Sequence, residues 1–312
     1  MRQNLKAFRK MTSLLALAVM TSCSNNENLE EPIKLVDLNV SSVTEKKIDF
    51  PETSPKCRDG FFGDQFYLFS GGTDVNKIKR GKEIDDRTCY YDYTQRNISG
   101  ITTGVYQLKA DSNHIDGKQP KIERASQTVD GKKKGTYVRI SGYLTVNRVG
   151  HVSDNLDRTH VNDGSGSYPI QAKGKDTSGK GSKDPAIALL LIKPIKWDAN
   201  GQSEFSAYLE VIKERGGSGT DGRIIIDLQA EGINAKFKRG QRRFVSVKTG
   251  FRDKFGNLEH YVDVKIGNQT YTFEVPSPEL ATQAKLRFGA YRCKGGEAEL
   301  LWDTVIHKIK KS

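Results

Sequence analysis

The chain alternates apolar and polar residues with a period of two over most of its length after residue 57. In the segment TYVRISGYLTVNRV, residues 136–149, one face of an extended strand is apolar and the other is polar. The apolar positions are Val138, Ile140, Leu144 and Val146, and the polar face carries Tyr137, Arg139, Tyr143 and Asn147. Helical periodicity is scarce in this part of the chain, so the pattern predicts strands.

Other segments extend the same pattern to a whole domain. AIALLLIKPI, EFSAYLEVIK, GRIIIDLQA and RFVSVKTGF read as alternating or fully buried strands, and YVDVKI-GN-QTYTFEV predicts a hairpin turning at Gly267 and Asn268. About a dozen short strands in about 250 residues exceed an immunoglobulin domain and suit one large sandwich. The sequence therefore predicts an all-β fold over residues 57–312: a two-sheet antiparallel β-sandwich of the concanavalin-like jelly-roll type.

The first 56 residues predict export rather than a folded core. Four cations precede an apolar run, from Leu14 to Met20, that is too short to span a bilayer, so residues 1–22 read as a secretory signal peptide. The following Cys23 and its small neighbours resemble a bacterial lipoprotein cleavage box, which implies a lipid anchor; an ordinary signal with an incidental cysteine stays open. Residues 23–56 would then form the anchor and a tether whose acidic start resembles the export tag of Bacteroides-group surface lipoproteins. We expect an outer membrane lipoprotein at the cell surface or on the periplasmic face.

The charge balance suggests an anionic partner. The chain carries 50 Lys and Arg against 38 Asp and Glu, a net charge of +12, and removing the four cations of the signal leaves 46 − 38 = +8. A basic exported protein fits an anionic polysaccharide better than nucleic acid, which an envelope protein rarely meets. A basic surface without a specific ligand stays open as an alternative. We expect a monomer.

Neither the cysteines nor the acidic residues form a recognisable metal motif. Cys57, Cys89 and Cys293 lack the spacing of a zinc site, and an exported protein would most simply pair Cys57 with Cys89 in a disulfide. Asp and Asn in the 154–163 loop have the oxygen atoms that calcium would need, although they form no recognisable calcium loop. No cofactor is predicted.

Two strands carry side chains that an ordinary solvated strand would seldom show. In LRFGAYRC, alternation places Arg287 and Tyr291 together on the face opposite to the apolar residues. In KIERASQTV, alternation places Arg124 on one face and Glu123 on the other. A guanidinium beside a phenol on one strand face favours a binding surface over a merely solvated one, and a cross-strand or cation–π pair stays open as the alternative.

A third strand, YPIQAKG, puts Gln171 and Lys173 on one face. Taken in order, KIERAS, YPIQAKG and LRFGAYR resemble the three strand signatures of jelly-roll polysaccharide lyases, of the alginate lyase and heparin lyase I type, over roughly residues 110–308. The resemblance implies that Arg124 binds substrate, that Gln171 binds its carboxylate and that Tyr291 lies near the cleavage point. Lys173 stands where the alginate lyase pattern has His, so the identity of the catalytic base is open.

The implied reaction is β-elimination in a uronic acid chain, which removes the proton alpha to the carboxylate and expels the glycosidic oxygen. Cations or amides that neutralise the carboxylate lower the cost of the developing charge. A tyrosine can transfer the proton if neighbouring cations lower its pKa. We therefore expect Tyr291 as acid or base, with His151 or His160 as other candidates for the base. The expected substrate-binding residues are Arg124, Gln171, Lys173, Arg287, Tyr143 and Arg139.

Other functions stay open at this point. A non-catalytic surface glycan-binding lipoprotein on the same fold is the main alternative to a lyase, and a structural or adhesive protein would need no binding surface at all. KEIDDRT, residues 82–88, is similar to a sandwich glycoside hydrolase motif but has Thr88 in place of the third carboxylate. Alginate, ulvan, glucuronan and glycosaminoglycan all present carboxylates, so the sequence does not choose among them.

Overall fold

The computed structural model describes residues 66–67, 74–78, 82–85, 91–109, 121–131, 133–150, 166–175, 186–213, 222–276, 281–291 and 297–311. They all belong to one unit, Asp49–Ser312. In this part of the chain, no helix is long and apolar enough to cross a membrane. Several predicted features lie outside the described residues: the signal peptide, Cys23, the tether, Cys57, Cys89, Cys293, the 154–163 loop, Thr88, His151 and His160.

Seventeen strands make up the regular structure of the described residues. They are β1 (Phe66–Tyr67), β2 (Lys82–Asp85), β3 (Tyr91–Ile98), β4 (Ile101–Leu108), β5 (Lys121–Ala125), β6 (Val129–Asp130), β7 (Thr136–Arg148), β8 (Ser167–Lys175), β9 (Ala186–Asp198), β10 (Gly201–Ile212), β11 (Arg223–Asp227), β12 (Lys236–Lys238), β13 (Arg242–Lys254), β14 (Asn257–Ile266), β15 (Gln269–Glu274), β16 (Gln283–Tyr291) and β17 (Ala298–Lys310).

The strands form two antiparallel sheets. One has ten strands, with the order β1-β2-β5-β16-β8-β9-β10-β11, and β12 pairs with β10 while β6 pairs with β16. The other has seven strands, with the order β15-β14-β13-β7-β17-β4-β3. This architecture confirms the predicted all-β, two-sheet antiparallel jelly roll.

The core lies between the two sheets and is built from inward positions of the alternating strands. On β7, the predicted apolar positions Val138, Ile140 and Leu144 are fully buried. Trp302 on β17 packs edge-on against Phe288 on β16, with ring centroids 5.6 Å apart, so the contact joins the two sheets. Removing each such apolar side chain from water stabilises the fold by about 2 kcal/mol.

Each sheet also has an outer face, which is turned away from the other sheet. On β16, Leu286 and Phe288 belong to the core, so Arg287 and Tyr291 lie on the outer face of the ten-stranded sheet. β16 has β5 on one side and β8 on the other. The three strands that carry the polysaccharide lyase resemblance are therefore neighbours in one sheet.

Candidate active site

The outer face of the ten-stranded sheet concentrates polar groups at β5, β16 and β8. The cross-strand register places Arg287 opposite Gln171, and Lys285 opposite Lys173. On the other side of β16, Tyr291 pairs with Lys121 of β5. Cations, an amide and a phenol thus share one surface of three adjacent strands.

The buried carboxylate of Glu123, on β5, contacts side chains from both β16 and β8. The residue is 2% exposed. Gln171 Nε2 donates a hydrogen bond to Glu123 Oε1, and Arg287 Nη1 lies 3.7 Å from Glu123 Oε2. Since Glu123 is on β5 and Gln171 is on β8, their contact crosses the intervening strand β16. Glu123 therefore orients both the amide and the guanidinium that the sequence predicts as substrate-binding groups.

Gly289 on β16 allows the backbone of β5 to approach closely beside this contact. It pairs with Glu123 in the β16–β5 register. Its φ of +139° is a conformation that glycine adopts readily and other residues rarely do. A Cβ at this position would lie 2.2 Å from the carbonyl oxygen of Ile122. A larger residue would therefore displace β5 and, with it, the Glu123 carboxylate.

The electrostatics of the site centre on the Glu123 carboxyl. Burial raises its pKa above the ordinary value of 4.5. Four neighbours favour the ionised form and oppose that shift: Arg287, Lys173, Gln171 and Lys121. Three of the four are cations around a single carboxylate, so the surface keeps an excess of positive charge that suits an incoming anion.

The raised pKa of Glu123 predicts how stability depends on pH. The folded protein holds a proton on this carboxyl more tightly than the unfolded chain does, so ionisation costs stability as pH rises above the ordinary value of 4.5. Glu123→Gln cannot ionise. We therefore expect the stability of Glu123→Gln, relative to the unsubstituted protein, to increase as pH rises through that range. Urea unfolding at a series of pH values measures this as a relatively larger free energy of unfolding.

Glu259 provides a control with the opposite sign. Partial burial acts to raise the pKa of Glu259, but hydrogen bonds from Lys254 and Arg252 outweigh it and lower the pKa. Its carboxylate stabilises the fold above the unfolded pKa, so Glu259→Gln should become relatively less stable as pH rises. Parallel pH trends for Glu123→Gln and Glu259→Gln would contradict the assignment of Glu123 as a carboxyl with a raised pKa.

The tyrosine end of the site rests on a second cluster. The ring of Tyr291 lies 5.9 Å from that of Tyr168, measured between centroids. The Tyr168 hydroxyl donates a hydrogen bond to the buried Glu210, and Arg223 Nε lies 3.4 Å from Glu210 Oε1. Tyr291 is half-buried against this cluster. The cluster thus holds the ring of Tyr291 from one side.

A bulge brings Tyr168 to this face. Strict alternation from the buried Ile170 would turn Tyr168 into the core, but the β8 register shifts between Ser167 and Ile170. Pro169, which has no backbone N–H to donate, lies within that irregular stretch. The extra residue reverses the phase of the strand and places Tyr168 beside Tyr291.

The dimensions of the site suit a polymer. Arg287 and Tyr291 are four residues apart on one face of β16, which separates their Cα atoms by about 13 Å. Glu123 and Gly289 lie between them. A chain lying along β16 could place an anionic group near Arg287 and another part of its backbone near Tyr291.

Arg124 does not join this site. Its Nε donates a hydrogen bond to the Tyr106 hydroxyl over 2.9 Å, and its Nη1 lies 2.6 Å from Asp74 Oδ2. Its guanidinium also lies over the ring of Tyr93, 4.6 Å from the centroid. Tyr106 and Tyr93 belong to the seven-stranded sheet, so Arg124 points inward while Glu123 points outward. This corrects the expectation that Arg124 holds a carboxylate together with Gln171 and Lys173.

Arg139 and Tyr143 are also separate from the site. Both lie on β7, in the seven-stranded sheet, and their side chains are on its outer face. Arg242 covers the ring of Tyr143, with its guanidinium carbon 3.4 Å from the centroid. The structure therefore does not bring these two predicted substrate-binding residues together with Gln171, Lys173, Arg287 and Tyr291.

Sequence reasoning missed several residues that shape the site. Lys121 and Glu123 occupy alternate positions of β5 and therefore lie on the same outer face, which the alternation of the sequence predicts. The resemblance to the lyase signature instead assigned substrate binding to Arg124, on the opposite face. Tyr168 had no such signal, because the β8 bulge decides its position. Among the residues that the structure describes, no group of three or more His, Cys, Asp or Glu residues could hold a metal ion.

The fold is a two-sheet β-sandwich, and the outer face of one sheet carries a cluster of cations, an amide and a phenol. The chain belongs to the PL28 ulvan lyases, whose family model matches residues 42–311. This confirms the predicted class, while the lipoprotein and Bacteroides-group features stay predictions.

Two ulvan lyases have sequences similar to that of this chain. An endo-acting ulvan lyase from Formosa agariphila is 36% identical over 246 residues, which cover 76% of this chain and 45% of that protein. The ulvan lyase NLR42 from Nonlabens ulvanivorans is 37% identical over 238 residues, which cover 73% of this chain and 42% of that protein. The chain thus spans less than half the length of either relative.

Solved structures of alginate lyases are also similar to this chain. The alginate lyase AlyA1 from Zobellia galactanivorans has a TM-score of 0.45 at 12% identity, covering 77% of this chain and 86% of that one. An alginate lyase from Pseudomonas aeruginosa has a TM-score of 0.48 at 10% identity, covering 69% of this chain and 86% of that one.

Proposed function

We propose that this chain cleaves a uronate-containing anionic polysaccharide by β-elimination, and that ulvan is the substrate. Membership of the PL28 ulvan lyases supports the reaction and the substrate class. The single observation on the structure that carries the proposal is the outer face of β5, β16 and β8. There, Arg287, Gln171 and Tyr291 share one surface with Lys121 and Lys173 around a buried carboxylate.

Each step of the elimination has a candidate group on this surface. Arg287 and Lys173 neutralise the uronate carboxylate, which stabilises the negative charge that develops when the alpha proton leaves. Gln171 donates one N–H to Glu123, and its second N–H is the donor proposed for the substrate carboxylate. The electron pair of the broken C–H bond forms the C=C bond of the product as the bond to the glycosidic oxygen breaks.

Tyr291 is the proposed acid or base. It removes the alpha proton or returns a proton to the departing glycosidic oxygen. Lys121 is its register partner on the neighbouring strand β5. His151 and His160 stay proposals for the base that complements Tyr291. Anchoring of the chain to the outer membrane through a lipidated Cys23 is likewise a proposal.

A non-catalytic glycan-binding protein is the second candidate. Lys173 stands where the alginate lyase signature has His, and a lysine can hold a carboxylate without transferring a proton at neutral pH. On this view the same surface binds the polysaccharide without cleaving it.

The decisive experiment follows the ultraviolet absorbance of unsaturated uronate ends. The purified protein is incubated separately with ulvan, alginate, glucuronan and a glycosaminoglycan. We expect absorbance to rise with ulvan. No rise with any of the four, combined with retardation of the protein in gels that contain ulvan, would replace the lyase with the binding protein. A rise with a different polymer alone would overturn the choice of ulvan.

A further inference from the structure

A bulge in β17 determines which side chains lie on the outer face of the seven-stranded sheet. The register between β17 and β7 shifts between Asp303 and Ile306, and Thr304 has a positive φ of 51°. Trp302 points into the core before the bulge, and Ile309 packs against the core after it. The extra residue therefore reverses the alternation of the strand.

Without this bulge, the even-numbered positions after Trp302 would point into the core. With it, Lys308 and Lys310 lie exposed on the outer face of the seven-stranded sheet. Gly142 on β7 faces the bulge, and a Cβ there would lie 3.0 Å from the Asp303 carbonyl oxygen. Gly142 on β7 leaves room for the bulge, and the bulge places Lys308 and Lys310 at the end of β17 on the outer face of the sheet.

The outward lysines complete a row of cations. Lys308 pairs with Arg139 across the β17–β7 ladder, and Arg139 pairs with Lys248 across the β7–β13 ladder. Three positive side chains thus lie side by side within about 10 Å, two strand spacings. Like charges directly opposite each other destabilise a sheet, so folding alone does not favour this row.

Most of the neighbouring cations on this face are neutralised, but the centre of the row is not. Lys248 lies 2.7 Å from Asp263, and Arg242 lies 2.6 Å from Asp303. Arg139 has no ion pair with any residue that the structure describes, and its Nε is buried without a hydrogen-bond partner there. The charge of Arg139 is therefore not neutralised by any carboxylate that the structure describes.

An aromatic ring borders the row. Tyr137 pairs with Lys310, and Lys248 Nζ lies 5.8 Å from the centre of the Tyr137 ring. A half-buried tyrosine offers a flat apolar surface together with a hydroxyl, which suits a sugar ring whose neighbouring carboxylate or sulfate meets the cations. We name these five residues the basic patch: Tyr137, Arg139, Lys248, Lys308 and Lys310.

We propose that the basic patch is a second binding site for the anionic polysaccharide, separate from the candidate active site. The choice of polysaccharide rests on the proposed function, because the polymer bound at the ten-stranded sheet carries repeated anionic groups that complement this charge. The patch lies on the outer face of the other sheet, so it holds polymer away from the site of cleavage. Its role would be to keep the enzyme on an extended substrate between cleavage events.

The test measures binding without cleavage. All proteins carry Tyr291→Phe, so that the ulvan in the gel stays intact, and dissociation constants come from retardation at several ulvan concentrations. Lys308→Ser/Lys310→Ser and Arg139→Ser/Lys308→Ser each remove two cations of the patch. We expect each pair to weaken binding by about tenfold, because each removes two charge contacts. The two lysines are exposed, so their replacement leaves the core untouched.

Lys196→Ser/Lys213→Ser is the charge-matched control, since both lysines are exposed and lie outside both surfaces. It should change the dissociation constant by less than about twofold, because it alters only the overall charge. Equal effects of the patch and control variants would overturn the proposal. A second contradicting result would be that duplex DNA or anionic phospholipid vesicles bind as tightly as ulvan and that the patch variants weaken this binding to the same extent. That result would assign the patch to another class of polyanion. Failure of the lyase proposal would appear separately, as absent ultraviolet product from the unsubstituted protein.

Discussion

Tyr291→Phe is expected to lower kcat for polysaccharide cleavage by about 1,000-fold, the usual scale for losing a positioned acid or base. The substitution removes only the hydroxyl group, so the ring still packs against Tyr168, 5.9 Å away between centroids. The fold and the binding of polymer should therefore persist. Initial rates from ultraviolet absorbance and polymer retardation in gels separate these two properties.

Tyr271→Phe is the matched control for this variant. Tyr271 is also half-buried, but it lies on β15 in the seven-stranded sheet. Its loss of a hydroxyl should leave kcat unchanged. If Tyr291→Phe retained the rate of the unsubstituted protein, the proton would have to move through another group, and the described face would keep only a binding role.

Arg287→Ala is expected to lower kcat/KM by about 100-fold to 1,000-fold, because the substrate carboxylate loses the guanidinium that we propose neutralises it. The same change removes the ion-pair partner of the buried Glu123, at 3.7 Å, so it also threatens stability. Steady-state kinetics should therefore be paired with urea unfolding of the same preparation.

A second substitution separates the two effects. Arg287→Ala combined with Glu123→Gln removes the guanidinium and the buried charge together, so stability should recover relative to Arg287→Ala alone. Activity should stay low, because the substrate still lacks its cation. Recovery of activity in the double variant would mean that Arg287 serves only to neutralise Glu123, which would remove it from the proposed substrate contacts.

The fold was predictable because its determinants are local. A period of two over residues 136–149 predicted the buried positions of β7, and each of Val138, Ile140 and Leu144 is buried. The same rule placed Arg287 and Tyr291 on one face of β16, which the structure bears out. These predictions need only the geometry of a single strand.

The candidate site was predictable only in part, because it depends on relations between strands. Alternation separates Arg124 from Glu123 but does not say which of them points inward when both are charged. The answer comes from Tyr106 and Tyr93, about 20 to 30 residues earlier in the sequence, which receive the Arg124 side chain. Likewise, nothing local assigns Arg139 to the seven-stranded sheet, and the bulge at Pro169 interrupts the rule that would locate Tyr168.

The inward anchoring of Arg124 affects how experiments on its neighbour should be interpreted. Its partners Tyr106 and Asp74 fix its guanidinium by directional contacts, which a purely apolar side chain could not make. Glu123 is the preceding residue on the same strand. Loss of the Arg124 contacts would therefore allow this part of β5 to shift, and the Glu123 carboxylate on the outer face would shift with it. An inactive Arg124 variant would consequently report a loss of alignment, even though its side chain faces away from the polymer.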